Sequence, residues 1–330
     1  MKFGVMVQPD ISLTRTAQLA KIIEDFGFDA VWSAERADQR DFTPAMTVIA
    51  QNTKRVKVGL GCTNPYLRHP AKTALALATI NEYSNGRVVL GLGAGSLEAL
   101  HLYGHDWIKP VKTCREAIKV MKAVLSRKEV NYKGETVSLK KLRIGFDPKG
   151  SFPIYLGCRR PMMLRMAAQT ADGVLLDNST IEYMDYVMKR IHSTMQSEGR
   201  NPANFEVANM KLFGVSENRR EAKLRVKKLM PFYFISITDR ELEAINLGRK
   251  DLEPMVMKSP DDLERAAAAV PESLVDKFSI SGTPEDCVKT IKQYEKAGVT
   301  TIICDMASKP EDKPEETLKL SSEHILPEFR

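Results

Sequence analysis

A parallel (β/α)8 barrel, an α/β fold, is what this sequence predicts, and three observations predict it. Short apolar runs alternate with longer runs of helical period from the first residues onward. Eight of the short runs can be counted over 330 residues, a length that a single parallel barrel accommodates. Strand, helix and strand in succession give parallel pairing through crossover helices. Residues 1–330 therefore read as one barrel domain carrying insertions.

Lys2–Val7 is the first strand. Ser12 or Thr14 can cap the helix that follows, which runs to Phe26 and is ended by Gly27. Asp29–Ser33 is the second strand and Pro44–Asn52 a short helix. In the third strand, over 56–62, Val56, Val58 and Leu60 sit two apart between small residues. Asn64-Pro65 stops it, because Pro65 lacks an amide hydrogen and turns Asn64 away from the helical region. Gly59 and Gly61 inside this strand mark either a bulge, where another molecule approaches the backbone, or a plain barrel corner. Ala71–Ser84 is a helix stopped by Asn85-Gly86, and Arg87–Leu92 is the fourth strand.

Thr113–Leu125 reads as a helix, and Val130–Leu139 alternates around Lys133-Gly134 as an inserted β-hairpin near 130–145. Ile154–Gly157 is the fifth strand, Met162–Thr170 a helix, Gly173–Leu176 the sixth strand, Ile181–Gln196 a helix and Glu206–Gly214 the seventh strand. Near 218–275 the pattern is helical but broken by Pro231, Gly248, Pro254 and Pro260, as in an inserted lid. Thr283 as N-cap, Pro284 at the first helical position and acids in the first turn open a helix to Ala297. Gly298 ends it, and Thr300–Cys304 is the eighth strand. The tail, Pro310–Arg330, is acidic then amphipathic and is expected to cap the outside of the barrel.

Apolar residues make up 43% and charged residues 28%, an ordinary globular balance that argues against disorder. The formal charge of +7 comes partly from Lys109–Lys149 and Arg219–Lys228. The second of these has helical spacing, and neither shows a zinc-finger or aromatic RNA-binding pattern, so solvated faces are expected and nucleic acid is not. A modest positive field still gathers an anionic ligand. No stretch is long enough to span a membrane and no leader is visible. The five cysteines, Cys62, Cys114, Cys158, Cys287 and Cys304, are widely spaced without C-x-x-C, as in a reduced, cytoplasmic enzyme.

A barrel carries its chemistry at the carboxyl ends of its strands. That rule selects Gln8, Glu35, Arg36, Cys62 to Asn64, Gly95, Ser96, Cys158 to Arg160, Asp177 to Ser179 and Asp305. Gly157-Cys-Arg-Arg-Pro161 precedes a helix, so free amides and two guanidinium groups can hold a phosphate there; a basic surface loop is the alternative. Asp177-Asn-Ser179 can bind polar ligand groups or cap the next helix. Gly91-Leu-Gly-Ala-Gly95 is not a dinucleotide fingerprint, since Ser96 stands where a third glycine is needed. His101 and His105 are four apart but lack the Glu of H-E-x-x-H, and no metal site is expected. No G-x-S-x-G elbow is present, and Trp32 and Trp107 read as core or pocket packing.

Gly61-Cys-Thr-Asn-Pro-Tyr66 with Arg68-His-Pro70, Tyr155–Leu164, Ala171–Ser179 and Phe278–Thr300 together resemble the luciferase-like superfamily. The match is to its coenzyme F420-dependent branch, which includes the methylenetetrahydromethanopterin reductases, and it spans nearly the whole chain. The resemblance implies a TIM-type barrel and a non-prolyl cis peptide at Gly61-Cys62 behind the deazaflavin ring. It implies coenzyme contacts from Gly61, Cys62, Thr63 and Asn64, from Gly157, Cys158, Arg159 and Arg160, and from Asp177, Asn178 and Ser179. Glu35, Arg36 and Gln8 are the candidate catalytic residues, with Glu35 as proton donor or substrate orienter; an ion pair of Glu35 with Arg36 or Arg40 is its alternative.

Four positions depart from the reductase pattern: Met6 replaces a glutamate, Glu35-Arg36 replaces Asp-His and Ser96 replaces an acid. The expected activity is hydride transfer between the deazaflavin C5 and a small organic substrate, methylenetetrahydromethanopterin or another pterin among them. A monooxygenase dependent on flavin mononucleotide (FMN) and a non-catalytic coenzyme-binding barrel are the alternatives. The family suggests a homodimer or higher homo-oligomer.

Overall fold

The computed structural model describes residues 1–306, 308, 312 and 314–330. Its strands are β1 (Lys2–Val7), β2 (Ala30–Ser33), β3 (Lys57–Thr63), β4 (Val88–Gly93), β5 (Val130–Lys133), β6 (Ser138–Leu142), β7 (Ile154–Gly157), β8 (Gly173–Asp177), β9 (Glu206–Val215), β10 (Ser279–Gly282) and β11 (Thr301–Asp305). Pairing runs β1-β2-β3-β4-β7-β8-β9-β11 and returns to β1, all parallel, so the chain is a closed TIM-type (β/α)8 barrel. The eight barrel strands are those expected. The sequence reading missed β10, which pairs with the far end of β9 at Leu212–Val215. Ser-Ile-Ser-Gly holds one apolar residue, which is too little for a strand period to register.

Alternation along the strands builds two apolar layers. Val5, Val31, Val58, Leu60, Leu156 and Ile302 face outward into the shell of helices. Met6, Ala30, Trp32, Ala34, Leu175 and Ile303 fill the barrel. Trp32 is the largest of these, and Gly4 and Gly59 make room for it: a Cβ on either residue would lie within 2.6 and 2.3 Å of the indole. Gly59 is therefore explained by packing rather than by an approaching ligand. Trp107 does not pack in the core. It is partly exposed, with its indole nitrogen donating to the Ala94 carbonyl at 3.1 Å.

Buried carboxylates fix the loops that feed the strands. Glu24 accepts the amides of Lys54, Arg55 and Val56 at 2.9, 2.6 and 3.0 Å, which sets the entry to β3. Glu116 accepts the amides of Glu135, Thr136 and Val137 and so docks the β5–β6 hairpin. Ser12, rather than Thr14, caps the first helix, and Thr283 and Asp286 form a capping box on the helix Pro284–Lys296.

The segment after β9 folds into short helices, Arg219–Lys227, Met230–Phe234, Asp239–Ala244, Arg249–Leu252, Leu263–Ala269 and Glu272–Phe278. They share their own apolar cluster around Met230, Phe234, Leu242 and Phe278. The helix Pro314–His324 lies outside the barrel, where Glu315 pairs with Arg15 at 2.5 Å and Ser322 donates to the Phe26 carbonyl at 2.8 Å. Residues 310, 311 and 313 at the start of the tail lie outside the described residues. Among the described residues no helix is long and apolar enough to cross a membrane.

Candidate active site at the carboxyl mouth of the barrel

The inward-facing positions at the strand ends divide the mouth into two walls. On one side β3, β4 and β7 present Gly61, Gly91, Gly93 and Gly157. The register of β3 against β4 slips between Leu60 and Thr63, and the Gly61–Cys62 peptide is cis. The slip lays Cys62 along the wall: a Cβ on Gly157 would lie 2.6 Å from its Sγ, and one on Gly91 3.2 Å away. The result is a surface of backbone and one thiol. Burial pushes that thiol up to about 12, so it stays protonated and serves as an apolar surface.

Beside this wall the helix Pro161–Thr170 begins at Arg160 with no side-chain cap, which leaves its first amides free. Arg160 is exposed. Arg159 turns into the protein, donating to the Asp177 carbonyl at 3.3 Å and to Ser236 Oγ at 2.8 Å. Its guanidinium also lies 3.9 Å from the Asp177 carboxylate and 3.7 Å from that of Glu241.

The opposite wall, from β8, β11 and β1, is polar. Asp305 is buried at the end of β11, opposite Met6 of β1 in register. Gln8 Nε2 donates to its Oδ1 at 2.6 Å, and Tyr233 of the inserted helices donates its hydroxyl to Oδ2. Burial raises the Asp305 carboxyl to about 6, against the pull of those two hydrogen bonds. Asp177, at the end of β8, is also raised by burial, with Arg159 acting against the shift. Gln8 Oε1 is buried and has no hydrogen-bond partner among the described residues.

Glu35 follows β2 at the rim. Burial raises its carboxyl, opposed by the nearby Thr63 hydroxyl and Asn64 amide. The Thr63 hydroxyl acts through proximity alone, because Glu35 Oε2 and Thr63 Oγ1 both lack hydrogen-bonded partners among the described residues. The alternative of an ion pair to Arg36 or Arg40 is not found there: Arg36 is exposed, and Arg40 donates to the Pro9 carbonyl at 3.2 Å. Asn64 Oδ1 accepts the amides of Tyr66 and Leu67, both at 3.0 Å, and so holds its own loop.

Asn178 and Ser179 are buried, with their polar groups used inside the protein. Asn178 Oδ1 accepts the Leu212 amide at 2.8 Å, and the Ser179 carbonyl accepts from Asn209, Lys211 and Tyr294 at 3.0, 3.3 and 3.1 Å. The N-cap position of the following helix is Thr180, not 177–179, and its side chain makes no cap hydrogen bond. Ser96 caps the short helix Leu97–His101 through Ala99. His101 is exposed beside Asp106 at 2.9 Å, and among the described residues no group of His, Cys, Asp and Glu is placed to hold a metal. All five cysteines are free.

Three residues of this region escaped the sequence reading. Lys211 is completely buried on the outer side of β9, against the Tyr294 ring, and burial lowers its ammonium to about 7. Its signal was a lysine inside the apolar run 207–215. Tyr233 and Glu241 come from the inserted helices and had no motif to mark them.

Comparison with known proteins places this geometry. Residues 1–301 match the family described as luciferase-like monooxygenase. The 5,10-methylenetetrahydromethanopterin reductase of Archaeoglobus fulgidus is 33% identical over all of both chains. That of Methanolobus tindarius is 31% identical over 99% of this chain and all of the relative. The solved structure of the coenzyme F420 dependent tetrahydromethanopterin reductase from Methanopyrus kandleri superposes with a TM-score of 0.93 at 27% identity, covering 100% of this chain and 99% of the other. This chain belongs to the luciferase-like monooxygenase family.

Proposed function

We propose that the protein is a coenzyme F420-dependent oxidoreductase that moves a hydride between the deazaflavin and a carbon of a pterin substrate such as methylenetetrahydromethanopterin. The observation that carries this reading is the glycine wall, found in a chain alike over its whole length to two such reductases. The residues fit the coenzyme. Its ring system is planar, and Gly61, Gly91, Gly93 and Gly157 offer it backbone without intervening side chains. Its side chain carries a phosphate and anionic glutamates, and the uncapped amides at Pro161–Thr170 with the exposed Arg160 supply donors and positive charge.

Gly61, Cys62, Thr63 and Asn64 would back the ring, and Gly157, Cys158 and Arg160 would hold the phosphate end, while Arg159, expected there as a second phosphate donor, has its guanidinium turned to Asp177, Ser236 and Glu241 and would brace the loop. Asp177 would meet polar groups of the coenzyme, with Asn178 and Ser179 shaping the loop behind it. When bound, the coenzyme supplies hydride chemistry at C5. The chain's own residues orient the partners and exclude water. Met6, Trp32 and Leu175 close the barrel beneath the site, while Tyr233 reaches over the mouth from the insertion. Glu35, with its raised carboxyl and unpartnered oxygen, can hold a proton at the rim. Arg36 and Gln8 flank the substrate. We place the enzyme in the cytoplasm as a homodimer or larger homo-oligomer, on cysteine usage and family likeness.

Separate fluorescence titrations with coenzyme F420 and FMN test the coenzyme. Saturable binding of the deazaflavin alone is expected; preference for FMN overturns the reading in favour of the monooxygenase chemistry of the family description. Turnover of methylenetetrahydromethanopterin with reduced coenzyme F420 then tests the substrate, and binding without turnover on any hydride acceptor would leave a coenzyme-binding protein.

A further inference from the structure

We propose that Tyr233 and Asp305 form a proton relay to the substrate, with Gln8 as the positioning residue that holds the carboxyl. This deepens the oxidoreductase reading and rests on it. Three facts of geometry converge. Asp305 faces into the barrel mouth yet is 1% exposed, so a ligand reaches it through another group. Tyr233 is half-buried and its hydroxyl bonds the carboxylate, which places a proton carrier between Asp305 and the mouth. Gln8 bonds the other carboxylate oxygen, and its own Oε1 is buried without a partner among the described residues, so its amide is committed to Asp305 alone.

A substrate that gains hydride at carbon needs one proton on its neighbouring heteroatom. Tyr233 gives up its hydroxyl proton to that heteroatom while protonated Asp305 passes its proton to the phenol oxygen. The electron pair of the broken carboxyl O–H bond stays on Asp305 as carboxylate, held by the Gln8 amide and by the charge of Arg36. In the oxidative direction both transfers reverse. Asp177 and Arg36 are the charged groups that act on the carboxyl besides Tyr233 and Gln8: Asp177 raises it and Arg36 lowers it. Its position at about 6 keeps both forms populated in mildly acidic solution.

The test uses the whole protein and the conservative variants D305N and Y233F. Infrared titration of the protein without coenzyme should show a protonated-carboxyl band that disappears with a midpoint of about 6 and is absent from D305N. In turnover with methylenetetrahydromethanopterin and reduced coenzyme F420, wild-type kcat should fall as pH rises through that midpoint. Y233F should lower kcat about 100-fold with KM nearly unchanged, and both variants should lose the pH-dependent limb. Coenzyme titration by fluorescence should be the same for all three proteins. A carboxyl band unchanged in D305N, or a pH limb surviving in both variants, overturns the relay. If the band titrates as described and coenzyme binds but the pterin is not turned over, the carboxyl stands and the substrate reading falls.

Discussion

The two walls of the barrel mouth are built on opposite terms. The glycine wall comes from strands alone: β3, β4 and β7 set four glycines around Cys62, and nothing from the insertion is needed to shape it. The polar wall is a joint construction, in which Asp177 and Asp305 are supplied by strands while the groups that hold them arrive from elsewhere. Tyr233 and, through Arg159, Glu241 belong to the inserted helices, and Ser236 to the turn between them. Shape is therefore fixed by the barrel, and charge is set by how the insertion lies over it. A surface of close-packed backbone of this kind tolerates little added volume, whereas the polar wall depends on each partner staying in place.

The comparison breaks most completely where the glycine wall meets its own backbone. Gly91→Ala would put a Cβ 2.5 Å from the Leu60 carbonyl oxygen of the neighbouring strand. A strand in a closed barrel has little freedom to retreat, so about 3 kcal/mol of stability should be lost, read from the midpoint of urea unfolding. On the polar wall the corresponding break is Arg159→Met. It leaves Glu241, 1% exposed, and Asp177 without their arginine partner. The ion pairs are long and the groups keep other hydrogen bonds, so about 2 kcal/mol is expected. Proteolysis within 218–278 should quicken at the same time, since the latch on the insertion is released.

Legibility in the sequence follows the same division. The eight barrel strands could be read because each is an apolar run between helices, and the bulge at Gly61 because Gly61-Cys-Thr-Asn-Pro65 is a local signature carried by contiguous residues, whereas its assembly with Gly91, Gly93 and Gly157 into one wall depends on strand pairing. Asp305 was selected by its place after a strand. Its partner Tyr233 lies 72 residues away, in a segment broken by prolines, and no spacing rule brings the two together. Asn178 and Ser179 sit at the right strand end for ligands, yet their polar groups brace the loop to β9 and the outer helix, which depends on tertiary packing. Gly59 shows the converse: a glycine that looks like an approach site is a notch for Trp32.

A gentler change sharpens the comparison by separating shape from stability. In Gly157→Ala the new Cβ would meet Cys62 Sγ at 2.6 Å, and a thiol can rotate away where a carbonyl cannot. The fold should survive with its unfolding midpoint little changed. Affinity for coenzyme F420, measured by fluorescence, should drop about tenfold, or about 1.4 kcal/mol, because the methyl stands where the ring would lie. Equal loss of stability and affinity would mean that the glycines serve packing alone.

The polar wall also carries a cost behind it, and pH exposes that cost. Lys211 is buried on the outer side of β9 with its ammonium lowered from 10.5 to about 7, chiefly by desolvation and in spite of Asp177, Glu241 and Glu182. In the unfolded chain this lysine stays protonated across neutral pH; in the folded chain it sheds its proton above about 7. The unfolded state then binds more protons, so stability rises with pH between the two values and the penalty is complete below the lower one. Titrations common to both proteins cancel when wild type is compared with Lys211→Met. Between pH 7 and pH 8 the wild type should therefore gain about 1 kcal/mol on the variant in urea unfolding. A difference that stays constant over that interval would mean that Lys211 keeps its charge when folded, and that the carboxylates of the polar wall are neutralised by it rather than merely crowded against it.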